Sequence, residues 1–231
     1  MKYFGCIIHR MKKALPFCLF SYLLFISCES DNYDKGEGKY SNTQADLAEL
    51  TVNAQKQGVS FVTDDGDSYS LSAPYTASWI QTADTTYRTI FYYNKQSDGH
   101  AKTMSCGQIG TLAPIAHWRF KKQPQDPVGV ESAWLAKSGK YINLGLLIKS
   151  GYVDDKEGGH AVALACDTVL ANDDGTQTAY YRLLHEQGDT PEYYTNRRYL
   201  SILLPADDRP DTVRLSIVTY KGEFERCFAL K

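Results

Sequence analysis

Apolar and polar residues alternate with a period of two through much of the chain beyond residue 40, and this pattern constrains the fold more than any single motif. The clearest row is 141–149, in which Ile142, Leu144, Leu146 and Ile148 alternate with Tyr141, Asn143, Gly145 and Lys149. In a β-strand, such alternation buries one set of side chains and turns the other toward solvent. The row therefore predicts an antiparallel sheet strand on which Tyr141 and Asn143 are exposed.

The C-terminal half reads as seven short strands. They are predicted at 130–136, 140–149, 160–169, 177–186, 197–204, 211–220 and 223–230. Seven short strands in about 100 residues are typical of an immunoglobulin-like β-sandwich. We expect Trp134, near the start of this set, to fill the sandwich core.

The first half is also rich in predicted strands, at 49–56, 58–63, 68–72, 86–94 and 100–109. Five strands with a long excursion at 73–85 predict a small closed barrel such as an OB-fold. The only segment with a plausible short helix is Gln44 to Leu50. The fold class is therefore all-β, with a small N-terminal OB-like barrel followed by a C-terminal immunoglobulin-like β-sandwich.

A polar segment with two prolines, 121–127, separates the two halves. Because proline favours extended linker geometry, we predict a linker there. The predicted domains are then an OB-like domain at 41–120 and a sandwich domain at 128–231.

The first 27 residues have the features of a lipoprotein signal peptide. Lys12 and Lys13 precede an uncharged apolar run at 14–26, which is shorter than the ~20 residues that a membrane span needs. The run ends in Phe25-Ile26-Ser27-Cys28, which resembles a lipobox, although leucine is more usual in place of Phe25. We predict that Cys28 is acylated and anchors the chain in a membrane. Either Met1 or Met11 could be the start.

The residues after Cys28 are acidic, and 28–40 is predicted to be a tether. From Cys28 onward the chain has 21 basic and 27 acidic side chains, a formal net charge of −6. This balance argues against nucleic acid as a partner, because phosphate backbones require dense basic surfaces. We expect an outer-membrane lipoprotein that faces either the periplasm or the cell surface.

Besides Cys28, three cysteines remain beyond the leader: Cys106, Cys166 and Cys227. They show neither a C-x-x-C spacing nor an even number, so a disulfide scaffold and a zinc site are disfavoured. We favour free, buried thiols that pack as small hydrophobic groups. The alternative is a disulfide between Cys166 and Cys227.

No catalytic motif is recognisable, and no catalytic residue, metal ligand or cofactor is assigned. Asp64-Asp65-Gly66-Asp67 and Asp173-Asp174-Gly175 lack the spacing of a calcium loop, and hairpin turns favour the same residues. His160 is expected at the start of a strand. A pocket that joins His160, His185 and a carboxylate would revive the possibility of an enzyme.

The best signal for binding is aromatic. Adjacent tyrosines occur at 92–93, 180–181 and 193–194, and because the first two pairs lie in predicted strands, one member of each of those two pairs is expected to point outward. Trp79, Tyr193 and Tyr194 lie in predicted loops and are candidates for stacking against a ligand. The alternative for each is packing within its own loop.

Several segments of the C-terminal half resemble the NigD-like family of bacterial lipoproteins. These segments are Ala133-Trp134-Leu135, Tyr141-Ile142-Asn143-Leu144, the row from Asp211 to Leu215, and Lys221-Gly222-Glu223-Phe224. The resemblance implies a lipobox, an OB-like domain and a β-sandwich, but no activity is established for the family. We therefore expect a non-catalytic, lipid-anchored envelope protein that binds a protein or glycan. The alternative, which rests on the family name, is an accessory or immunity protein of a bacteriocin system; an enzyme is less favoured.

Replacing Cys28 with alanine should abolish palmitate labelling and release the protein from the membrane fraction, because the acyl chains supply the predicted anchor. Metabolic labelling with a palmitate analogue and fractionation of cells will measure both effects. Ser27→Ala, which keeps a small residue before the cysteine, is the control. A Cys28→Ala protein that still sediments with membranes would contradict the prediction.

Overall fold

The computed structural model describes residues 41–153, 156–157 and 159–230. The predicted leader, the lipidation site Cys28 and most of the tether lie outside the described residues. Sixteen strands are assigned within the described ranges: β1 (Gln44–Val52), β2 (Gly58–Thr63), β3 (Ser68–Tyr75), β4 (Thr85–Lys95), β5 (Ala101–Gln108), β6 (Gly110–Leu112), β7 (Pro114–Ala116), β8 (Gly129–Leu135), β9 (Tyr141–Ser150), β10 (Tyr152–Val153), β11 (Lys156–Glu157), β12 (Ala161–Ala171), β13 (Gln177–Glu186), β14 (Tyr194–Leu203), β15 (Thr212–Thr219) and β16 (Gly222–Ala229). A 3-10 turn, His117–Arg119, follows β7. In this part of the chain no helix is long and apolar enough to cross a membrane.

The first five strands form a closed barrel in the order β1-β2-β3-β5-β4. The barrel core is aromatic: Phe61 stacks on Phe91 with ring centroids 4.3 Å apart, and Tyr93 packs edge-on against Phe61 at 4.8 Å. Tyr93 is buried whereas Tyr92 is exposed, as the alternation of a strand predicts. The predicted OB-like barrel is therefore confirmed.

The remaining large sheets form the sandwich. One has five strands in the order β16-β15-β13-β12-β7, and the other has four in the order β6-β14-β9-β8. Both contribute to a single hydrophobic core, which includes Leu144 and Ile202 from one sheet and Leu164 and Leu215 from the other. The predicted architecture of a barrel followed by a β-sandwich is confirmed.

The short helix considered at Gln44 to Leu50 is wrong, because this segment belongs to strand β1. Strand β1 pairs with β2 along one edge and with β4 along the other, and these two pairings close the barrel. Its buried Ala48, Leu50 and Val52 follow a period of two. Pairing on both edges satisfies the backbone more completely than one isolated helical turn does.

Trp134 does not fill the sandwich core, contrary to expectation. In β8 it is Ala133 that is buried in the core, and the next residue along a strand must face the opposite way. Trp134 therefore lies on the outer face of the four-stranded sheet.

The outer face of β9 is not exposed either, which corrects the expectation for Tyr141 and Asn143. Tyr141 is 6% exposed and Asn143 is fully buried. Their contacts are with the barrel, because Tyr141 donates to Glu49 of β1 and Asn143 donates to Asp64 of the β2–β3 turn. Strand β9 is thus buried on both faces, by the sandwich core and by the barrel.

The segment between the barrel and the first long strand of the sandwich is hydrogen-bonded to the sandwich along most of its length. Strand β6 pairs in parallel with β14, and β7 pairs in parallel with β12. In the segment predicted as a linker, the backbone carbonyl of Pro124 accepts from His185, and the backbone N–H of Asp126 donates to the carbonyl of His185. The domain boundaries stay a prediction, but residues 110–116 hydrogen-bond within the sandwich sheets.

A buried cluster of polar groups, here called the clasp, joins barrel to sandwich. Its members are Asp64 and Arg88 of the barrel and Asn143 and Ser201 of the sandwich. The two Nη atoms of Arg88 donate to the two oxygens of Asp64 at 2.6 Å each. Arg88 Nε donates to Ser201 Oγ at 3.0 Å, and Arg88 Nη2 donates to Asn143 Oδ1 at 3.0 Å.

Every polar side-chain atom of the clasp has a hydrogen-bond partner within the clasp. Asn143 Nδ2 donates to Asp64 Oδ2 at 2.7 Å, and Ser201 Oγ donates to Asn143 Oδ1 at 2.8 Å. The guanidinium of Arg88 also lies 4.0 Å from the ring centroid of Tyr141. Bidentate pairing together with neutral hydrogen-bond partners is what compensates the desolvation of a buried ion pair.

Replacing Arg88 with methionine should lower the free energy of unfolding by about 3 kcal/mol, because the Asp64 carboxylate then stays in the contact without its counter-charge. Urea denaturation followed by intrinsic fluorescence will measure the loss. Lys137→Met is the matched control: it removes one positive charge from the exposed pair with neighbouring Asp65, whose side chains are 74% and 55% exposed. This control should cost about 0–1 kcal/mol. Equal losses in the two variants would contradict the role of the clasp.

Candidate functional site

Four tyrosines gather at one end of the sandwich and form what we call the tyrosine surface: Tyr152, Tyr193, Tyr194 and Tyr220. Three of them are exposed large hydrophobic residues, at 59% for Tyr152, 79% for Tyr193 and 40% for Tyr220. The rings of Tyr152 and Tyr194 are 6.1 Å apart, centroid to centroid. The sequence predicted Tyr193 and Tyr194 as candidates for ligand stacking. The structure shows that Tyr152 and Tyr220 belong to the same surface.

The local backbone explains this arrangement. Tyr194 opens strand β14 opposite Ser150 of β9, and the backbone N–H of Tyr193 donates to the carbonyl of Ser150 at 3.0 Å. Gly151 follows directly, and a Cβ on it would lie only 2.8 Å from Pro191. The glycine thus allows the 191–194 segment to lie against the end of β9, which carries Tyr193 beside Tyr152.

A charged pair lies within the same surface. Lys149 Nζ is 2.5 Å from a carboxylate oxygen of Glu192 and 4.4 Å from the ring centroid of Tyr220. The hydrogen bond to Glu192 raises the pKa of Lys149, and the hydrogen bond from Lys149 lowers the pKa of Glu192. Burial raises the pKa of Tyr220. Both members of the pair therefore stay charged at neutral pH, beside the neutral ring of Tyr220.

Exposed tyrosine rings with a fixed ion pair are suited to binding rather than to covalent chemistry. The rings offer apolar faces and hydroxyl groups at a low cost in side-chain entropy, and tyrosine is enriched in protein interfaces for this reason. The same faces can stack against sugar rings. The tyrosine surface is therefore the candidate functional site.

Trp79, the third predicted stacking residue, lies in the barrel and is not part of this surface. Its ring packs at 5.5 Å against Tyr87 and at 6.2 Å against Tyr75. The hydroxyl of Tyr87 accepts from the backbone N–H groups of Gln81 and Thr82, which holds the excursion against the barrel. A stacking role for Trp79 stays a prediction, and the structure shows a packed side chain.

His160 and His185 do meet, as an enzyme hypothesis required, and the other ring nitrogen of His185 faces a main-chain carbonyl. His160 Nδ1 is 3.0 Å from His185 Nε2, and His185 Nδ1 is 3.0 Å from the main-chain carbonyl of Asp126. Because a carbonyl only accepts, His185 Nδ1 carries a proton, and in its neutral form its Nε2 accepts from His160. The carboxylate of Asp126 accepts from the backbone of Gln187 instead. This arrangement fastens the 124–126 segment to β13.

In both aspartate-rich turns, carboxylates are hydrogen-bonded to protein groups. Asp64 binds Arg88 and Asp65 binds Lys137, while Asp174 accepts from Thr176 within its own turn. The described residues contain no group of three or more His, Cys, Asp or Glu side chains placed to hold a metal ion.

The three cysteines are free thiols, so the alternative disulfide is wrong. Cys166 lies on β12 and Cys227 on β16, with β13 and β15 between them. Three strand spacings amount to about 14 Å, whereas a disulfide requires Cα atoms within about 7 Å. The favoured view, that all are buried, holds for Cys106 but not for Cys227, which is exposed.

The fold is similar to that of several solved structures. A NigD-like immunity protein from Bacteroides caccae is 22% identical with a TM-score of 0.62, and the match covers 79% of this chain and 91% of that one. A candidate toxin-related protein from Parabacteroides distasonis is 15% identical with a TM-score of 0.59, covering 80% and 92%. A candidate lipoprotein from Bacteroides fragilis is 12% identical with a TM-score of 0.57, covering 82% and 98%.

At these identities the likeness shows a shared fold. No family model matches the chain, and no curated protein is significantly similar to it. The resemblance to NigD-like proteins that the sequence suggested is confirmed at the level of fold.

Sequence reasoning missed Tyr152 and Tyr220 as partners of Tyr193. Tyr220 ends the predicted strand 211–220 and precedes Lys221-Gly222, whereas Tyr152 follows the predicted strand 140–149 and is next to Gly151. An aromatic residue beside a glycine at a strand end was the available signal, but which strand ends share one end of the sandwich depends on the order of strands in the sheets.

A thiol-reactive maleimide should label Cys227 of the native mature protein at least about tenfold faster than Cys106. Burial removes Cys106 from reagent and raises its pKa to about 12, so the reactive thiolate is scarce. Timed labelling followed by peptide mass spectrometry will measure both rates, and Cys227→Ser should remove the fast reaction. Recovery of a peptide cross-linked between Cys166 and Cys227 from the oxidised protein would contradict the assignment of free thiols.

Proposed function

We propose, from the shared fold and the tyrosine surface, that this chain is a non-catalytic binding protein of the cell envelope, anchored by lipid at Cys28. Its ligand is a protein or a glycan that contacts the tyrosine surface. The observation that carries the proposal is the clustering of three exposed tyrosine rings around a fixed ion pair at one end of the sandwich.

An envelope location is supported by the leader, the lipobox-like Cys28 and the acidic residues that follow it. The fold similarity to a candidate lipoprotein from Bacteroides fragilis agrees with this location. The protein is proposed to reside in the outer membrane, facing either the periplasm or the cell surface.

A binding role agrees better with the site than catalysis does. The described histidine pair is used to fasten the backbone at Asp126, and the charged pair of the tyrosine surface is mutually neutralised. General acid–base catalysis requires a group that can exchange a proton with substrate near the operating pH, and Lys149 and Glu192 are shifted away from that range.

A second candidate is a role in bacteriocin immunity, and the observation that favours it is the name of the structurally similar NigD-like immunity protein. A bacteriocin gene beside the gene for this chain, together with loss of resistance when this chain is deleted, would support it. Under this candidate the ligand of the tyrosine surface is a protein.

A photo-reactive phenylalanine analogue placed at Tyr193 should cross-link the ligand in intact cells, whereas the same analogue at Trp118 should not. Trp118 is 75% exposed, close to the 79% of Tyr193, but lies in the 3-10 turn after β7. The yield of adduct on gels will be compared, and mass spectrometry will show whether it carries peptide or sugar.

A Lys149→Ala change should reduce the adduct at Tyr193 severalfold, because Lys149 orients both Glu192 and Tyr220. Equal adduct yields at Tyr193 and Trp118 would refute the proposed role of the tyrosine surface.

A further inference from the structure

A cleft lies along the junction of barrel and sandwich, away from the residues of the tyrosine surface. Ile90 of β4 and Tyr199 of β14 line two adjoining volumes, one of about 260 Å³ and one of about 500 Å³. Pockets that hold small ligands have ~300–1,000 Å³ and often lie between domains. The junction therefore leaves room for a ligand.

Aromatic side chains from both halves line the smaller volume: Tyr92 of β4, Trp134 of β8 and Tyr199 of β14. Tyr92 points out of the barrel because its neighbour Tyr93 is buried inside, and Trp134 points out of the sandwich because Ala133 is buried in the core. Leu47 and Ile90 supply an aliphatic floor. Tyr92 thus faces away from the barrel core and Trp134 faces away from the sandwich core, and both rings line the same cleft.

A glycine lies next to Tyr199 on the sandwich side of the cleft. Gly145 of β9 pairs with Tyr199 on one side and with Ser132 on the other. A Cβ at this position would lie 3.5 Å from the Tyr199 ring and against the Ser132 hydroxyl. A side chain at Gly145 would therefore displace Ser132, whereas its contact with the Tyr199 ring would be an ordinary van der Waals contact.

The charged groups that line the cleft already have partners. Asp64 is held by Arg88, Asp65 by Lys137 at 2.6 Å, and Asp46 accepts from the hydroxyl of Tyr93 at 2.9 Å. In the larger volume Arg197 pairs with Glu131. A charged ligand would have to break such a pair, whereas a neutral polar ligand can add hydrogen bonds to the remaining lone pairs of the carboxylates.

We propose that this cleft binds a neutral oligosaccharide. The C–H faces of sugar rings pack on Tyr92 and Trp134, and sugar hydroxyls donate to the carboxylates of Asp46 and Asp65. The barrel strands that line the cleft, β1 and β4, are paired on both edges and offer no free edge for the addition of a peptide strand. This site is separate from the tyrosine surface and goes beyond the proposed function.

The test is affinity electrophoresis of the mature lipidated protein, in detergent, through native gels that contain dextran, mannan, xyloglucan or arabinoxylan. Polygalacturonate is the anionic comparator. At least one of the neutral polysaccharides should retard the protein, and Tyr92→Ala should weaken the apparent affinity about tenfold or more. Tyr92 is 38% exposed, so its loss should leave the melting temperature nearly unchanged.

Two matched aromatic variants separate this site from others. Trp118→Ala removes an exposed ring elsewhere, and Tyr193→Ala removes one from the tyrosine surface; both should bind the polysaccharide as the wild type does. The emission of Trp134 should also shift when the polysaccharide is added, and Trp134→Phe should remove that shift while the chain stays folded.

Retardation by no neutral polysaccharide, or by polygalacturonate alone, overturns the proposal. Unchanged affinity in Tyr92→Ala overturns it as well. Binding that is lost in Tyr193→Ala but kept in Tyr92→Ala would show that the glycan binds at the tyrosine surface. That result overturns the cleft proposal and agrees with the proposed function.

Discussion

The ion pair between Arg88 and Asp64 is the interaction on which the relation of barrel to sandwich depends. Both residues belong to the barrel, yet the guanidinium and the carboxylate also hydrogen-bond Asn143 and Ser201 of the sandwich. The side chains are only 3% and 14% exposed. A buried ion pair is stabilising only when its remaining donors and acceptors are satisfied, so the barrel needs the sandwich surface at this place.

The clasp has consequences for the surrounding surface. Because it seats the barrel on the outer face of the four-stranded sheet, β9 is buried on both sides and Tyr141 lies under the Arg88 guanidinium. Burial opposes ionisation of Glu49, but its hydrogen bonds to Lys140 and Tyr141 and the charge of Arg88 outweigh this, and the pKa of Glu49 is lowered. Beyond the clasp the two surfaces diverge, and the aromatic cleft occupies the gap.

The proposed tyrosine surface and the proposed cleft differ in origin. The tyrosine surface is formed by turns at one end of the sandwich, so it depends on the sandwich alone. The cleft exists only where barrel and sandwich meet, and the walls of its smaller volume come from β1 and β4 of the barrel and β8 and β14 of the sandwich. A protein with both could hold a glycan in the cleft and present the tyrosines to a second partner.

The sequence predicted most of the strands because their side chains alternate regularly. Strand β2 was predicted at 58–63 and is Gly58–Thr63, and β13 was predicted at 177–186 and is Gln177–Glu186. Alternation failed at β1, where the small residues Ala45 and Ala48 allowed a helix, and pairing on both edges decided the outcome. It also misplaced Trp134, because size suggested the core while strand parity assigned the core position to Ala133.

The sequence by itself determined the all-β class, the order of barrel and sandwich, and the turns between strands, because these follow from local alternation and turn chemistry. It also identified Tyr193 and Tyr194 as candidates for stacking against a ligand. Only the tertiary structure decided that Asn143 is buried, that Cys166 and Cys227 are too far apart to pair, and that Tyr92 and Trp134 line one cleft. These outcomes depend on which sheet faces pack together. An alternation with a period of two predicts that a strand has two different faces, but it does not predict which part of the chain packs on each face.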